Sequence, residues 1–362
     1  MVKICHISTV HPLFDDRIFY KECLTLADNG YEVFLVIAHT CRETIGNVNI
    51  IPLNQPGNRF RRVFFSTFTA FRKAYSLRPD IVHFHDPELI FIGIMFRILG
   101  KKVIYDVHED LPKQIRYKKW IGIRIVRMLL SVLAYIAEHS VSLFFNRVIA
   151  ATPDIRNNFR RSKTILLRNY PRTELIKNAA PAIVKKNLPV VVYAGLLSND
   201  RGISELLDAI ELTTAELWLI GTWEDEDFMN QCRRCKGWSK TKYFGQMRLE
   251  EVYSYLKIAD IGVSTLHPLK NYLTSLPVKA FEYMAAGIPM ILSDFPYWKE
   301  VFQECALFAD PCSSGEIAEK IRFLLGNKQI CENLVSASRK AVESKFSWEN
   351  ESQELIILYS EI

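Results

Sequence analysis

Hydrophobic and polar positions alternate along this chain in two recurring forms. Short apolar runs of roughly four to eight residues predict strands, and longer stretches with apolar residues at helical spacing predict helices. In the first half the strands are Val2–Thr9, Glu32–Ala38, Val48–Leu53, Asp80–His85, Val103–Val107, Arg147–Ala151 and Thr164–Arg168. Between the first two lies a helical stretch, Arg17–Asp28, closed by Asn29-Gly30, a pair that suits a helix end. The second half repeats the logic with strands at Leu188–Tyr193, Glu216–Ile220, Lys242–Phe244, Asp260–Ser264, Pro289–Ser293 and Ala306–Phe308. Helices over 203–212, 248–258, 277–286 and 315–326 separate them. Strand–helix alternation of this kind predicts parallel sheets covered on both faces, so the fold class is α/β, with two Rossmann-like domains in tandem. The stretch 171–187, with Pro171, Pro181 and few periodic apolar residues, reads as the linker between domains 1–170 and 188–345. Two such domains predict a cleft at the C-terminal ends of their strands, where open α/β sheets bind ligands.

The most informative stretch is Thr274-Ser-Leu-Pro-Val-Lys-Ala-Phe-Glu-Tyr-Met-Ala-Ala-Gly-Ile-Pro-Met-Ile-Leu292. It reads as a polar loop, a helix opened by Pro277, a break at Gly287, and an apolar strand. The helix points an N–H-rich, positive end at the loop. Lys279 in its first turn is disfavoured by the dipole unless an anion is near, and Glu282 follows one turn later. A cation and a carboxylate there suit a nucleotide diphosphate, the cation for phosphate and the carboxylate for ribose hydroxyls.

Length and composition agree. At 362 residues, 49% hydrophobic and 24% charged, the chain is globular and long enough for two domains. No apolar run reaches the roughly 18 residues of a membrane span, because 120–150 is cut by Arg124, Arg127, Glu138 and Arg147. Eight scattered cysteines and no signal peptide predict a cytoplasmic protein. The net charge of +6 is unevenly spread, with 27 Lys+Arg against 15 Asp+Glu in residues 1–180 and 19 against 25 in the rest. A basic half implies an anionic partner.

Residues just after strands are the candidates for chemistry. His83, His85, Asp86, His108, Glu109 and Asp110 could suggest a metal site, but they come from two strands and lack the tight spacing of zinc motifs. His83 reads as a core histidine with a backbone partner, whereas His108 ends a strand and faces the predicted cleft. In Val191 to Gly202, Gly195 lets the backbone turn and Arg201 is placed to clamp a diphosphate. Gly221 and Thr222 end one strand and Gly245 and Met247 follow another, which together would make a base pocket. Asp225-Glu-Asp227 matches a metal-binding Asp-X-Asp string, but an acidic helix start explains it. Cys232 and Cys235 have no second pair to make a zinc site.

These residues resemble the retaining glycosyltransferases of family 4, which have the GT-B fold. The resemblance rests on His11-Pro-Leu-Phe-Asp-Asp-Arg17, Asp80-Ile-Val-His-Phe-His-Asp86, Tyr105-Asp-Val-His-Glu109, Arg168-Asn-Tyr-Pro171, Gly195 through Gly202, Phe281-Glu-Tyr-Met-Ala-Ala-Gly-Ile-Pro289 and Phe346-Ser-Trp348. It implies that a nucleotide sugar binds the second domain, that the acceptor binds the first, and that a C-terminal helix over 346–362 crosses back to the first domain. It further implies that Arg201 holds phosphate, Glu282 holds ribose, His108 faces the donor sugar, and the loop around Asp15 to Arg17 closes over the reacting groups. Thr274 stands where the family has its first glutamate, and Ser275 and Leu276 with Pro277 replace its Gly-Phe-Gly. Leu196 stands where an arginine often follows the glycine, leaving Arg201 and Lys279 as the phosphate cations.

The expected activity is therefore transfer of a sugar, with retention, from a UDP-sugar to a glycan or lipid-linked acceptor in surface polysaccharide synthesis. Neither a cofactor nor a metal is expected. A nucleotide-sugar 2-epimerase and a non-catalytic nucleotide-sugar-binding subunit are the alternatives on the same fold. Segment 59–78 carries Phe60, Phe64, Phe68, Phe71 and Tyr75 among Arg59, Arg61, Arg62, Arg72, Lys73 and Arg78. Segment 113–127 carries Lys113, Arg116, Lys118, Lys119, Arg124 and Arg127 around Trp120. The aromatic stripe reads as core, and the basic rims predict peripheral contact with an anionic membrane on its inner face. No nucleic-acid-binding module is present.

Overall fold

A computed structural model describes residues 1–54, 65–117 and 122–362. The chain forms two units, one of residues 1–169 with 351–362 and one of residues 170–350. The first contains eight strands: β1 Lys3–Pro12, β2 Glu32–Ala38, β3 Glu43–Ile45, β4 Val48–Leu53, β5 Ile81–Phe84, β6 Lys102–Val107, β7 Arg147–Ala150 and β8 Thr164–Leu166. Their order is β3-β4-β2-β1-β5-β6-β7-β8, parallel throughout except where β3 pairs antiparallel with β4. The second unit contains β9 Val190–Ala194, β10 Glu216–Ile220, β11 Thr241–Tyr243, β12 Ile261–Ser264, β13 Met290–Ser293 and β14 Ala306–Ala309, in the parallel order β11-β10-β9-β12-β13-β14. Central strands such as β5 and β9 are buried at every position, as parallel strands covered on both faces must be.

The cores follow from the strand pleat, since alternate residues face opposite helix layers. In the second unit Val190, Val192 and Ala194 pack with Trp218, Tyr253 and Met284 on one face. Val191 and Tyr193 pack with Leu207, Leu217 and Ile317 on the other. Ile176, within the expected linker, is buried in the first of these cores, because 171–187 contains the helix Thr173–Asn178. The last helix, Trp348–Ser360, contributes to both units, and its residues from Glu351 onward pack with the first.

Four expectations need correction. The first helical segment begins as a π-helix, Asp16–Cys23, and continues as the α-helix Leu24–Asp28. His83 is bonded to the Tyr359 hydroxyl at 2.7 Å, a side chain 276 positions away, so its partner is not backbone. The apolar region after residue 120 forms a 19-residue helix, Arg124–Ser142, that is long and apolar enough by length and composition to cross a membrane. Its interruptions are too few: Arg124 lies at the very start, and Arg127 and Glu138 alone fall within the rest. The aromatic stripe expected in the core is only partly there: Phe71 packs against it beside Ala70 and Ala74, while Phe68 and Tyr75 are exposed. Phe60, Phe64, Arg59, Arg61, Arg62, Lys118, Lys119 and Trp120 lie outside the described residues.

Candidate functional sites

In the second unit, strand register lines up three glycines. Ala194 pairs with Ile220, and Leu219 with Tyr243, so Gly195, Gly221 and Gly245 all lie just past the C-terminal ends of adjacent strands. Gly195 N–H donates to the Ile220 carbonyl at 2.7 Å, and Gly221 N–H to that of Gly245 at 2.8 Å. A β-carbon on Gly221 would sit 1.9 Å from the Gly195 carbonyl oxygen, so only glycine allows these two turns to meet. On Gly195 it would sit 2.5 Å from the Lys279 ammonium, which occupies the space the missing side chain leaves.

Lys279 is the second residue of the helix Val278–Ala286, whose cap is Pro277. Its half-buried ammonium lies 5.1 Å from the centre of the Tyr193 ring. Arg201 follows the Gly195 turn and lies 5.2 Å over the Tyr272 ring, with a hydrogen bond to Tyr193. Its buried Nε has no hydrogen-bond partner among the described residues. Burial and the neighbouring Arg201 charge lower the Lys279 pKa to about 8, against a smaller opposing pull from Glu282. Glu282, three residues after Lys279 on the same helix face, accepts from the Tyr253 hydroxyl at 3.4 Å. Two cations against one carboxylate leave a local positive excess at a helix start, an arrangement built to receive an anion.

Of the other predicted positions here, the exposed Thr274 donates to the Lys270 carbonyl at 3.4 Å. The Ser275 carbonyl accepts from the Trp298 indole at 2.7 Å, fixing the loop before the helix. Leu276 and Met247 pack against the core, and the Thr222 carbonyl accepts from Leu197 N–H at 2.8 Å. Asp225 caps the helix Glu226–Cys232 by accepting from Phe228 N–H at 2.7 Å. All eight cysteines are free thiols. Sequence reading missed Tyr193 and Tyr272, the aromatic surfaces beneath the two cations. Alternation along β9 could have placed Tyr193 on the face of Val191.

In the first unit the polar residues after β1, β5 and β6 form one buried network. Asp106 receives two hydrogen bonds from Arg17, at 3.0 and 2.9 Å, and its Oδ2 lies 2.8 Å from His108 Nε2 and 3.2 Å from His85 Nδ1. Burial would raise the Asp106 carboxyl, but Arg17, His108 and His85 outweigh it and hold the pKa well below the usual carboxylate range. Burial lowers His85 to about 4 and keeps His6 and His83 neutral as well. His6 reaches His85 at 3.0 Å. Glu22, 3.0 Å from Arg17, is pushed well above the ordinary range by burial and then by Asp106.

Asp15 opens the π-helix, accepting from Arg17 and Ile18 N–H at 2.9 Å each and pairing with His11 at 2.9 Å. Burial works against the charge on Asp15, yet the His11 bond prevails and its pKa falls far below the carboxylate range. Of the residues considered for a metal, Asp86, Glu109 and Asp110 have other partners. Asp86 is taken up by Ser8, Thr9 and Val10, Glu109 by Gln114, and Asp110 by Lys113 N–H and Asn158. His6, Glu22, His83 and His85 do place ligand atoms within 4.8 Å of one another, as do His85, Asp106 and His108. Arg17 already supplies the positive charge that Asp106 needs, and burial with the Asp106 charge holds Glu22 towards its protonated form.

Two parallel-sheet units, with glycine turns and paired cations after the strands of the second, define a GT-B type protein. Residues 176–341 match the family described as glycosyl transferases group 1, and residues 17–165 match glycosyltransferase family 4. Together these matches cover most of the chain, which belongs to glycosyltransferase family 4. Sucrose-phosphate synthase from Thermosynechococcus elongatus has the same fold, with a TM-score of 0.75 and 17% identity over 100% of this chain and 99% of that one. So has HepE from Anabaena, solved in complex with UDP-glucose, with a TM-score of 0.74 and 13% identity over all of both chains. O-antigen chain mannosyltransferase B of Escherichia coli is 27% identical over 231 residues, 56% of this chain and 58% of that protein. The matched regions span 46% and 58% of the lengths of two curated relatives, about half.

Proposed function

We propose that this protein transfers a sugar, with retention, from a nucleotide sugar to a glycan or lipid-linked acceptor in surface polysaccharide synthesis. The observation that carries this reading is the convergence of Lys279 and Arg201 on Tyr193 beside Gly195, with Glu282 near enough to act on the Lys279 charge. In this reading Arg201 and Lys279 take the diphosphate, Glu282 the ribose, and the turns at Gly221 and Gly245 the flat base. The UDP-glucose complex of HepE supports a uridine nucleotide as donor. Departure of the diphosphate builds negative charge, and each preorganised cation aimed at it is worth about 3 kcal/mol of barrier. In this reading Arg201 and Lys279 are the two cations that meet this requirement. His108, held by Asp106, is assigned to the donor sugar and Asp15 to the closing loop on the family resemblance. In this reading the enzyme works in peripheral contact with the inner face of an anionic membrane, which the basic first half supports.

Calorimetric titration with a panel of nucleotide sugars, followed by product analysis with and without candidate acceptors, tests the reading. Tight binding of one UDP-sugar and acceptor-dependent release of UDP are expected. Arg201→Ala should lower turnover at least about tenfold with folding intact. A normal rate in that variant removes Arg201 from the mechanism, and product formed from donor alone would identify an epimerase. Failure of every nucleotide sugar to bind would overturn the proposal.

A further inference from the structure

The helix Arg124–Ser142 is built inside out. Its inward stripe is Arg127, Ser131, Ala134, Glu138 and Val141, spaced three or four residues apart, with Ser142 beside the last, and it is mostly polar. These residues fasten it to the first unit. Ser131 Oγ donates to the Pro112 carbonyl at 2.8 Å and accepts from Arg116 Nε at 2.8 Å. Glu138 accepts from the buried Tyr105 hydroxyl at 2.5 Å. His139 Nδ1 bonds the Asn158 carbonyl at 2.8 Å. The opposite face is apolar and open, with Ile125 69%, Met128 62%, Leu129 60%, Leu133 61% and Ile136 53% exposed. A helix on a water-facing surface carries the reverse pattern, with its apolar stripe turned to the core. A contiguous apolar face of this kind marks a surface that is covered when the protein works.

Charge says what covers it. Between residues 122 and 144 the single acidic residue is Glu138, and its carboxyl is turned inward. Cations stand at both ends of the helix. Arg124 is exposed in its first turn, with Arg116 beside Ser131. At the other end Lys163 bonds the Leu143 and Phe145 carbonyls at 2.6 and 2.9 Å, and Arg97 bonds that of Phe144 at 2.9 Å, next to a Phe144 ring that is 68% exposed. An apolar strip bracketed by cations matches the depth profile of an anionic bilayer surface, hydrocarbon beneath and phosphate at the rim. The inward polar bonds hold the helix along the flank of the unit, so it lies in the interface and does not cross.

We infer that residues 124–142 insert their outward apolar face into the headgroup boundary of an anionic membrane, with the flanking cations on lipid phosphates. This deepens the membrane contact proposed above, replacing attraction by charge alone with hydrophobic insertion at a defined helix. Flotation of the full chain with phosphatidylcholine–phosphatidylglycerol vesicles, at low and high salt, tests it. The wild type is expected to float with these vesicles and to keep part of its binding at high salt, which screens charge but not apolar burial. The triple variant Leu129→Ser, Leu133→Ser, Ile136→Ser should lose at least about tenfold in partitioning, and the salt-resistant part entirely. Circular dichroism melting should show the variant folded, since the three side chains face outward. If the variant binds as the wild type does, insertion is wrong while the electrostatic contact stands. A wild type that fails to float even at low salt would sink both. A wild-type dimer that the triple variant cannot form would give this face to a second copy of the chain and overturn the inference.

Discussion

Replacing Lys279 by methionine should make the empty protein more stable and the nucleotide-bound one less so. The ammonium is held against the Tyr193 ring beside Arg201, where burial and like charge lower its pKa from 10.5 to about 8. Below about pH 8 the lysine is protonated in both the folded and the unfolded chain, and the folded form carries the full cost of keeping it charged. As pH rises from about 8 towards 10.5 the folded chain releases the proton while the unfolded chain keeps it, so wild-type stability increases through that window. At about 1.4 kcal/mol per pH unit the ceiling is roughly 3 kcal/mol. Lys279 is partly open to water, which screens its charge and brings the expected gain down to about 1–2 kcal/mol. Urea unfolding of the wild type and Lys279→Met, followed by tryptophan fluorescence from neutral pH to beyond the lysine range, measures it. The variant should lead at neutral pH and the two curves should converge in base. Added UDP should reverse the order, because the diphosphate relieves the repulsion only where the lysine exists. A variant less stable than wild type at neutral pH, or two curves parallel across the whole range, would refute the strained-cation argument.

Three further outcomes follow from the same geometry. Gly221→Ala forces a β-carbon to within 1.9 Å of the Gly195 carbonyl oxygen, so it should cost about 3 kcal/mol or more of stability in thermal unfolding, or prevent soluble expression. Asp106→Asn leaves buried Arg17 without its two-oxygen partner, and chemical unfolding should show a loss of about 3–5 kcal/mol. Glu282→Ala should weaken UDP binding about tenfold in calorimetry while leaving inorganic pyrophosphate no weaker, because the carboxylate is assigned to ribose and not to phosphate.

Much of this architecture was legible because the two periodicities are clean. The strands β2, β4 and β10 lie where their apolar runs end, and the helix Val278–Ala286 begins one residue after the position predicted from Pro277. Arg201, Lys279 and Glu282 could be singled out since each departs from a local rule, such as a cation in a helix's first turn. What could not be read depends on distant partners. Nothing near His83 points to Tyr359, and the π-helical turn from Asp16 arises where Arg17, Lys21 and Glu22 are drawn together into the interior. Tyr193 is a core residue whose ring also carries a lysine, and only the fold brings Lys279 to it. The 124–142 helix misled for another reason. Its apolar content was plain, but periodicity does not say which side faces the protein, and here the minority polar stripe faces inward.

The bond between His83 and Tyr359 also sets an order of events during synthesis. The earlier unit needs residues 351–362 to finish its interior, yet the ribosome makes these only after all of residues 170–350. The later-coded unit therefore has every one of its residues in hand while its predecessor still waits with a hole among its histidines. The interior of the first unit is complete only when the trailing helix docks and its tyrosine fills that gap.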